Sequence, residues 1–567
     1  MKKCKTFPRV PVALVATLLV ASLFQVGVVR ADRAKIIASV STPSENGVWE
    51  AVDLIADSMK FGDMARGFRD LANARFPFLE KVAKTKQIGF AVATDGDDVF
   101  PFAFVPLKNE GSLESSEVAE LEKKAKELTK LDDISLFVAN STLFATQAKF
   151  KDSIPTSVDD FEQIKPNENE KILLNADVDL AAIPEELLEA GFAAFRQSAS
   201  QNLSDLDALE RERLESVLTF YSKIVASLKR IAVKVSVDPE ANFVVESSVE
   251  CKEDGDLAPL FKANNDVKTR WSSFADSSNS ILVSISAGNQ QFELFKNFRV
   301  EQIQNVVSRN LLDQLDSLLD DPEDFEIAKR LVKLYEKMLI SVAESDSEDV
   351  GFAVESEPFL VKFGIAFSSP DDLREALKIL VERMKRDFEN LDKFVALDAE
   401  EIEGFSVSKL DLPVVELTPS PISYFKDKSL TARLGVGKNA TVLVFGLTPS
   451  DVDAAFVQIL NASKETNPLP QADFFDFAPL ARFLGVVFED AGNLQLRPAL
   501  KRALDKIGAA ENAKMTTQGN CVENVASIKF TVQNGVFKAL GDSIRLALAS
   551  GGQDEEEVDL DDAFDEE

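Results

Sequence analysis

The chain has 567 residues, 45% hydrophobic and 28% charged, a globular balance that excludes a disordered chain or one embedded in lipid along its length. Lys and Arg number 63 against 95 Asp and Glu, a formal net charge of −32 that repels nucleic acid and anionic lipid surfaces. There is no histidine, which removes Ser-His-Asp and Cys-His catalysis, His-ligated zinc and imidazole pH switching together.

The N-terminus has the three parts of a secretory signal. Lys2, Lys3, Lys5 and Arg9 precede an apolar stretch from Val10 to Phe24, and Val29-Arg30-Ala31 predicts cleavage between Ala31 and Asp32. An uncleaved anchor is the competing reading, weakened by Pro11, Thr17, Ser22, Gln25 and Gly27. Cys4 lies ahead of the apolar stretch, so the lipid-attached cysteine of a lipoprotein is missing. No long apolar segment follows, so no membrane span is expected after cleavage. The mature chain is expected in the periplasm, at the cell surface or outside the cell.

Strand pairs and helices then alternate. Ile88–Val92 and Phe100–Val105 flank Asp95-Gly96, a tight-turn dipeptide. Pro184 marks a helix start, and residues 205–230 carry an apolar stripe at helical spacing from Leu206 to Leu228. Ile231–Val237 and Phe243–Val249 flank Asp238–Asn242 as a longer hairpin. A polar stretch over residues 252–280 predicts a domain boundary near residue 268. Helices are expected over about 290–319 and from Pro322 to about Leu339. Further hairpins are predicted around Glu357-Pro358, around Gly437-Lys438-Asn439, and at Asn534-Gly535. The fold class is therefore α+β: repeated β-hairpin–helix units forming antiparallel sheets packed by amphipathic helices, in two similar halves. The organisation is a signal peptide (1–31), an N-terminal domain (32–268), a C-terminal domain with an internal repeat (269–550) and an acidic tail (551–567).

The repeat rests on IAFSSPDDLREALKIL (365–380) and VFGLTPSDVDAAFVQI (444–459). Ser369 and Thr448 fall at the helix N-cap, Pro370 and Pro449 at the first helical position, and Asp372 and Asp451 two residues on. The tail, ten of whose seventeen residues are Asp or Glu, reads as a disordered solubilising segment. Weak divalent-cation binding or docking on a basic partner is its sharper reading.

Several motifs resemble chemistry and fail on context. Gly435-Val436-Gly437-Lys438-Asn439-Ala440 fits a dinucleotide fingerprint, but a strand follows where a helix is needed. Asp95-Gly96-Asp97-Asp98 lacks EF-hand spacing. Ser406-x-x-Lys409 lies in the strand-like GFSVSKLDL without its SDN- and KTG-type partners. Asn140, Asn202, Asn439 and Asn461 fit N-x-[ST], which matters only in a glycosylating host. Of the cysteines surviving cleavage, Cys251 and Cys521 are open to two readings, a disulfide between the halves or two separate thiols. With 42 Phe against 3 Tyr and 2 Trp, aromatic surface is assigned to core packing or an apolar cavity.

The segments IGFAVATDGDDVFPFAFVPL, DDISLFVANSTLFATQAKF, KILLNADVDLAAIP and AVKVSVDPEANFVVESSVE, taken in order, resemble secreted proteins of planctomycete-type bacteria. The resemblance implies export and a repeated α+β architecture and carries over no activity and no site residues. The leading expectation is a non-catalytic exported protein that binds a protein or envelope partner or serves as a structural envelope component, with no cofactor and no metal site. A carrier of apolar, lipid-like ligands and a histidine-free carboxylate hydrolase are the alternatives.

Overall fold

In the computed structural model the described residues are 35–75, 77–94, 98–129, 133–155, 171–186, 188–193, 208–264, 267–289, 293–304, 311–316, 319, 321–345, 347–367, 369–388, 390–417, 423–468, 473–490 and 498–550. The cleavage site Ala31–Asp32, the Asp95–Asp97 turn, Asn202 and the acidic tail lie outside them. The chain divides into two compact units, Met1–Phe261 with Asn520–Asn534, and Lys262–Gly519 with Gly535–Glu567. Residues 520–534, expected in the second domain, join the first because their strand pairs with one from the N-terminal half.

The first unit is an antiparallel sheet carrying helices. In chain order it comprises β1 (Lys35–Thr42), α1 (Glu45–Ser58), α2 (Gly62–Arg75), β2 (Ile88–Thr94), β3 (Val99–Pro106), α3 (Ser115–Thr129), β4 (Ile134–Ala139), β5 (Thr142–Gln147), β6 (Lys171–Asp179), α4 (Ala208–Ser227), β7 (Leu228–Val237), β8 (Phe243–Cys251) and β20 (Val525–Val532). The spatial order is β4-β5-β3-β2-β1-β6-β7-β8-β20. Phe100, Phe102 and Phe104 alternate along β3, so all three point to one face, where they are fully buried with Phe144 and pack against the buried Phe150. Each such side chain stabilises by about 1.5–3 kcal/mol on burial. The other face of the same strands is covered by α3, whose Val118 and Leu121 pack on Val105, Leu136, Val138 and Leu143. Strand β4 is an edge, and α3 guards it: the Glu122 carboxylate accepts the Leu136 N–H at 2.9 Å. That bond and Lys126 hold the Glu122 carboxyl below the usual range.

The second unit contains β9 (Lys268–Thr269), β10 (Ser280–Asn289), α5 (Glu293–Ile303), α6 (Pro322–Glu344), β11 (Ser347–Ser356), β12 (Phe359–Ile365), α7 (Pro370–Asp387), β13 (Val395–Ile402), β14 (Phe405–Pro413), β15 (Ser429–Val436), β16 (Thr441–Gly446), α8 (Pro449–Ala462), β17 (Asn467–Pro468), β18 (Asp473–Asp476), α9 (Phe477–Asp490), α10 (Pro498–Gly508), β19 (Lys514–Val522) and α11 (Asn534–Ser550). The main sheet runs β13-β14-β15-β16-β12-β11-β10-β18-β19, with neighbours antiparallel, while β9 pairs with β17 apart from it. Its core gathers Trp271, Phe274, Val283, Val442, Val444 and Phe456. Gly351 and Gly364 are directly paired on β11 and β12 and leave the space in which the fully buried Trp271 ring lies.

The α+β expectation holds, with corrections at element boundaries. The stripe read to Leu228 stops being helical at Ser227, where β7 begins. The described part of 290–319 is α5 and a short helix Leu312–Asp316. Asn534-Gly535 opens α11 where a hairpin turn was expected, because the apolar residues that follow have helical period. Pro370 and Pro449 occupy the first turns of α7 and α8 as expected, but neither the Ser369 nor the Thr448 hydroxyl makes the cap hydrogen bond.

Candidate functional site

The β2-β1-β6-β7-β8-β20 part of the first sheet has an unusual polarity. Successive side chains on a strand point to opposite faces, so the cross-strand register sorts them. One row consists of Phe90, Val40, Ala176, Val233, Ser247 and Ile528. The next row on that face adds Leu174, Val235, Val245 and Phe530. No charged residue stands in either row.

The opposite face of the same strands carries the charges. Lys234 and Lys529 both pair with Glu246, their direct cross-strand partner on β8. Burial raises the Glu246 carboxyl, but the two lysines outweigh this and hold it below its usual range. Arg230 pairs with Asp177. Helix α1 packs on β6 and β7, and Ser41, Asn175 and Ser236 are buried on this charged side.

The apolar side is the open one. Val40 is 44% exposed, Phe90 42%, Leu174 38% and Ile528 53%. These four exposed apolar residues share one face of neighbouring strands, whereas exposed apolar residues are ordinarily scattered singly. At the end of the edge strand β4, an open cleft of about 500 Å³ is lined by Leu113, Ser115, Val118, Phe137, Val138 and Asn140. A second cleft of about 500 Å³ lies between α5 and α6 in the other unit and is lined mainly by Lys296, Asn297, Glu301, Gln304 and Glu344.

Two carboxyl groups in the second unit are pushed up by burial, against the hydrogen bonds that each accepts, which pull the other way. Asp349 accepts the Thr269 hydroxyl at 2.6 Å and the Arg270 N–H at 3.0 Å, and its own carbonyl accepts the Trp271 indole N–H at 3.1 Å. Asp473 accepts the Ile285 N–H at 2.8 Å and the Ser284 hydroxyl at 3.1 Å. These contacts fix the Trp271 segment and the β18–β10 pairing. Among the described residues no group of three Cys, Asp or Glu side chains gathers as a metal site.

Asp473 supplies a pH test. Its folded pKa lies above the unfolded value of about 3.9, so ionisation opposes folding above the folded pKa and ceases to matter below the unfolded one. Asn in its place can still accept from Ile285 and can donate to Ser284. Asp473→Asn is therefore expected to gain stability relative to wild type at neutral pH, with the gain shrinking as pH falls through the folded pKa. Thermal unfolding of both proteins along a pH series checks this, and a constant difference would refute it.

The motif residues fall as follows. Gly435 and Val436 are the last residues of β15, and the Gly437 N–H closes the hairpin on the Ala440 carbonyl at 2.9 Å, so the glycine pattern is a turn. Ser406 and Lys409 lie three apart on β14 and so point to opposite faces; Ser406 bonds Asp398 and Lys409 pairs with Glu400. Cys251 and Cys521 are not joined by a disulfide. Cys251 is buried at the end of β8, while Cys521 on β19 directs its thiol at the Phe261 carbonyl, 3.2 Å away, and burial raises its pKa. No family model, curated protein or solved structure matches the chain.

Proposed function

We propose that this is an exported, non-catalytic protein that binds a protein or envelope partner or builds envelope structure, and that the open apolar face of the first sheet is its contact surface. The observation that carries this reading is the inversion just described: the charged face is closed by ion pairs and α1, and the uncharged face is left in water. The sequence-level support for export is the signal with cleavage between Ala31 and Asp32, joined by the resemblance to secreted planctomycete-type proteins. Among the described residues no helix is long and apolar enough to cross a membrane.

The two units also support one repeated plan. In the first, β1 lies between β2 and β6, the β2–β3 hairpin leads into α3, and β5 returns to pair with β3. In the second, β10 lies between β11 and β18, the β11–β12 hairpin leads into α7, and β16 returns to pair with β12. An added β13–β14 hairpin distinguishes the second.

The purified chain is expected to turn over no ester, glycoside or peptide, and to bind isolated envelope fractions through the face, with Ile528→Asp abolishing that binding. Turnover removed by Asp349→Asn or Asp473→Asn would overturn the reading.

A further inference from the structure

We propose that the groove between β4 and the first half of α3 binds an extended segment of a basic protein partner, which adds to the first sheet as a further antiparallel strand. Among the described residues β4 pairs only with β5, which leaves its other edge open. Directly opposed residues of an antiparallel pair alternate between exchanging both backbone hydrogen bonds and exchanging none. The Leu136 N–H leaves the sheet to reach the Glu122 carboxylate at 2.9 Å, so the Leu136–Ala145 pair is an unbonded one. By alternation so is Val138–Leu143, two residues on, and Val138 turns both its N–H and its C=O to the open edge. Glu122 thus blocks the Leu136 half of the edge and leaves the Val138 half available.

The cleft of about 500 Å³ lies at that available half, with Leu113, Ser115 and Val118 on one wall and Val138 and Asn140 on the other. Neighbouring strands stand about 4.8 Å apart, so a strand bonded to Val138 would run along this cleft. Val138 packs toward Val118 of α3, and a residue directly opposite it shares that face, so the added strand presents apolar side chains to α3 at alternate positions. A groove between a strand edge and a helix holds a peptide by main-chain hydrogen bonds, while the alternate side chains give specificity. Charge selects the partner. Residues 114–122 carry Glu114, Glu117, Glu120 and Glu122 and no Lys or Arg. Lys81, Lys124 and Lys126 pair with the last three, and the exposed Glu114 stands at the cleft beside Ser115. The formal charge of −32 attracts the same basic partner at long range. The groove shares no residue with the open apolar face, so this inference stands apart from that contact surface.

The test uses the purified full chain and a fluorescein-labelled octapeptide of alternating Val and Lys, blocked at both ends. Fluorescence polarisation at low salt is expected to show saturable binding that weakens as salt rises, and the matching Val–Glu peptide should not bind. Val138→Pro should weaken binding about tenfold or more, because it deletes the outward donor and leaves the bonded pairs with β5 whole. Circular dichroism checks that this variant is folded. Methylated peptides ask the same question of the wild-type chain. Valine, facing α3, is the residue that bonds Val138, so N-methylation of the valines should abolish binding and N-methylation of the lysines should spare it. Docking by charge alone would not tell the two peptides apart. No saturation at low salt, equal binding of the Val–Glu peptide, a folded Val138→Pro variant that binds like wild type, or any methylation pattern other than loss on methyl-valine alone would overturn the proposal.

Discussion

Replacing Gly364 by Ala is expected to destabilise the second unit by about 3 kcal/mol, the upper part of the range for overpacking a closed core. A Cβ there would stand 2.4 Å from Trp271 Cε3 and 2.6 Å from two further indole atoms. The ring cannot withdraw. It is fully buried, packed in the core with Phe274, Val283 and Val444, and pinned by its N–H to the Asp349 carbonyl. Gly351, opposite Gly364 in register, has the same constraint from the other side, with a Cβ placed 2.5 Å from Trp271 Cβ. Gly351→Ala should therefore be at least as damaging, because Trp271 Cβ is tied to the backbone. Trp271→Leu alone should also destabilise, by less than the about 3–5 kcal/mol of truncating a buried Trp to Ala. Combined with Gly364→Ala it should lose less than the sum, since the smaller side chain removes the clash. Urea unfolding followed by far-UV circular dichroism measures all four variants, since Trp271→Leu removes the second unit's tryptophan and leaves Trp49 of α1. A Gly364→Ala variant within about 0.5 kcal/mol of wild type would show that the cradle is looser than its geometry.

That cradle shows how much of the fold could be read from sequence. The strands around Gly351 and Gly364 are legible as β-rich runs flanking Glu357-Pro358, and so are most helices and hairpins. Glycine inside a strand signals a close approach but not its partner, and Trp271 is 80 residues away from Gly351 in sequence. The open face of the first unit was hidden for a related reason. Alternation in β7, β8 and β20 separates Val233, Val245 and Ile528 from Lys234, Glu246 and Lys529, and periodicity assigns the apolar set to the core. It cannot tell which side receives a helix. Here Lys234, Glu246 and Lys529 satisfy one another across strands, so charge can face the side where α1 packs, and Ile528 of the apolar set is left exposed. Local signals likewise failed where two elements compete for the same residues, as at Ser227–Leu228 and Asn534-Gly535.

The second large effect concerns a charged pair that the register places in the core. Lys362 Nζ lies 2.6 Å from Glu355 Oε1, and the two side chains are only 10% and 6% exposed. In register Lys362 stands between Ala353 and Val444, and Glu355 between Leu360 and Ser280. No water-exposed route relaxes either charge once its partner is gone. Lys362→Met is therefore expected to cost about 3–5 kcal/mol, because a buried carboxylate is left without its cation. The sign reverses when both charges go: Glu355→Leu with Lys362→Met removes two desolvation penalties and should return stability to wild type or raise it by roughly 1–4 kcal/mol. Lys124→Met, which breaks the exposed Lys124–Glu120 pair on α3, should leave stability close to wild type. Salt separates the cases further, since ions screen the exposed pair and scarcely reach the buried one. Denaturant unfolding of the single and double variants at low and high ionic strength tests the whole cycle. If Lys362→Met were as mild as Lys124→Met, the pair would have to be solvated, and the tight β11–β12–β16 packing derived from the register would be wrong with it.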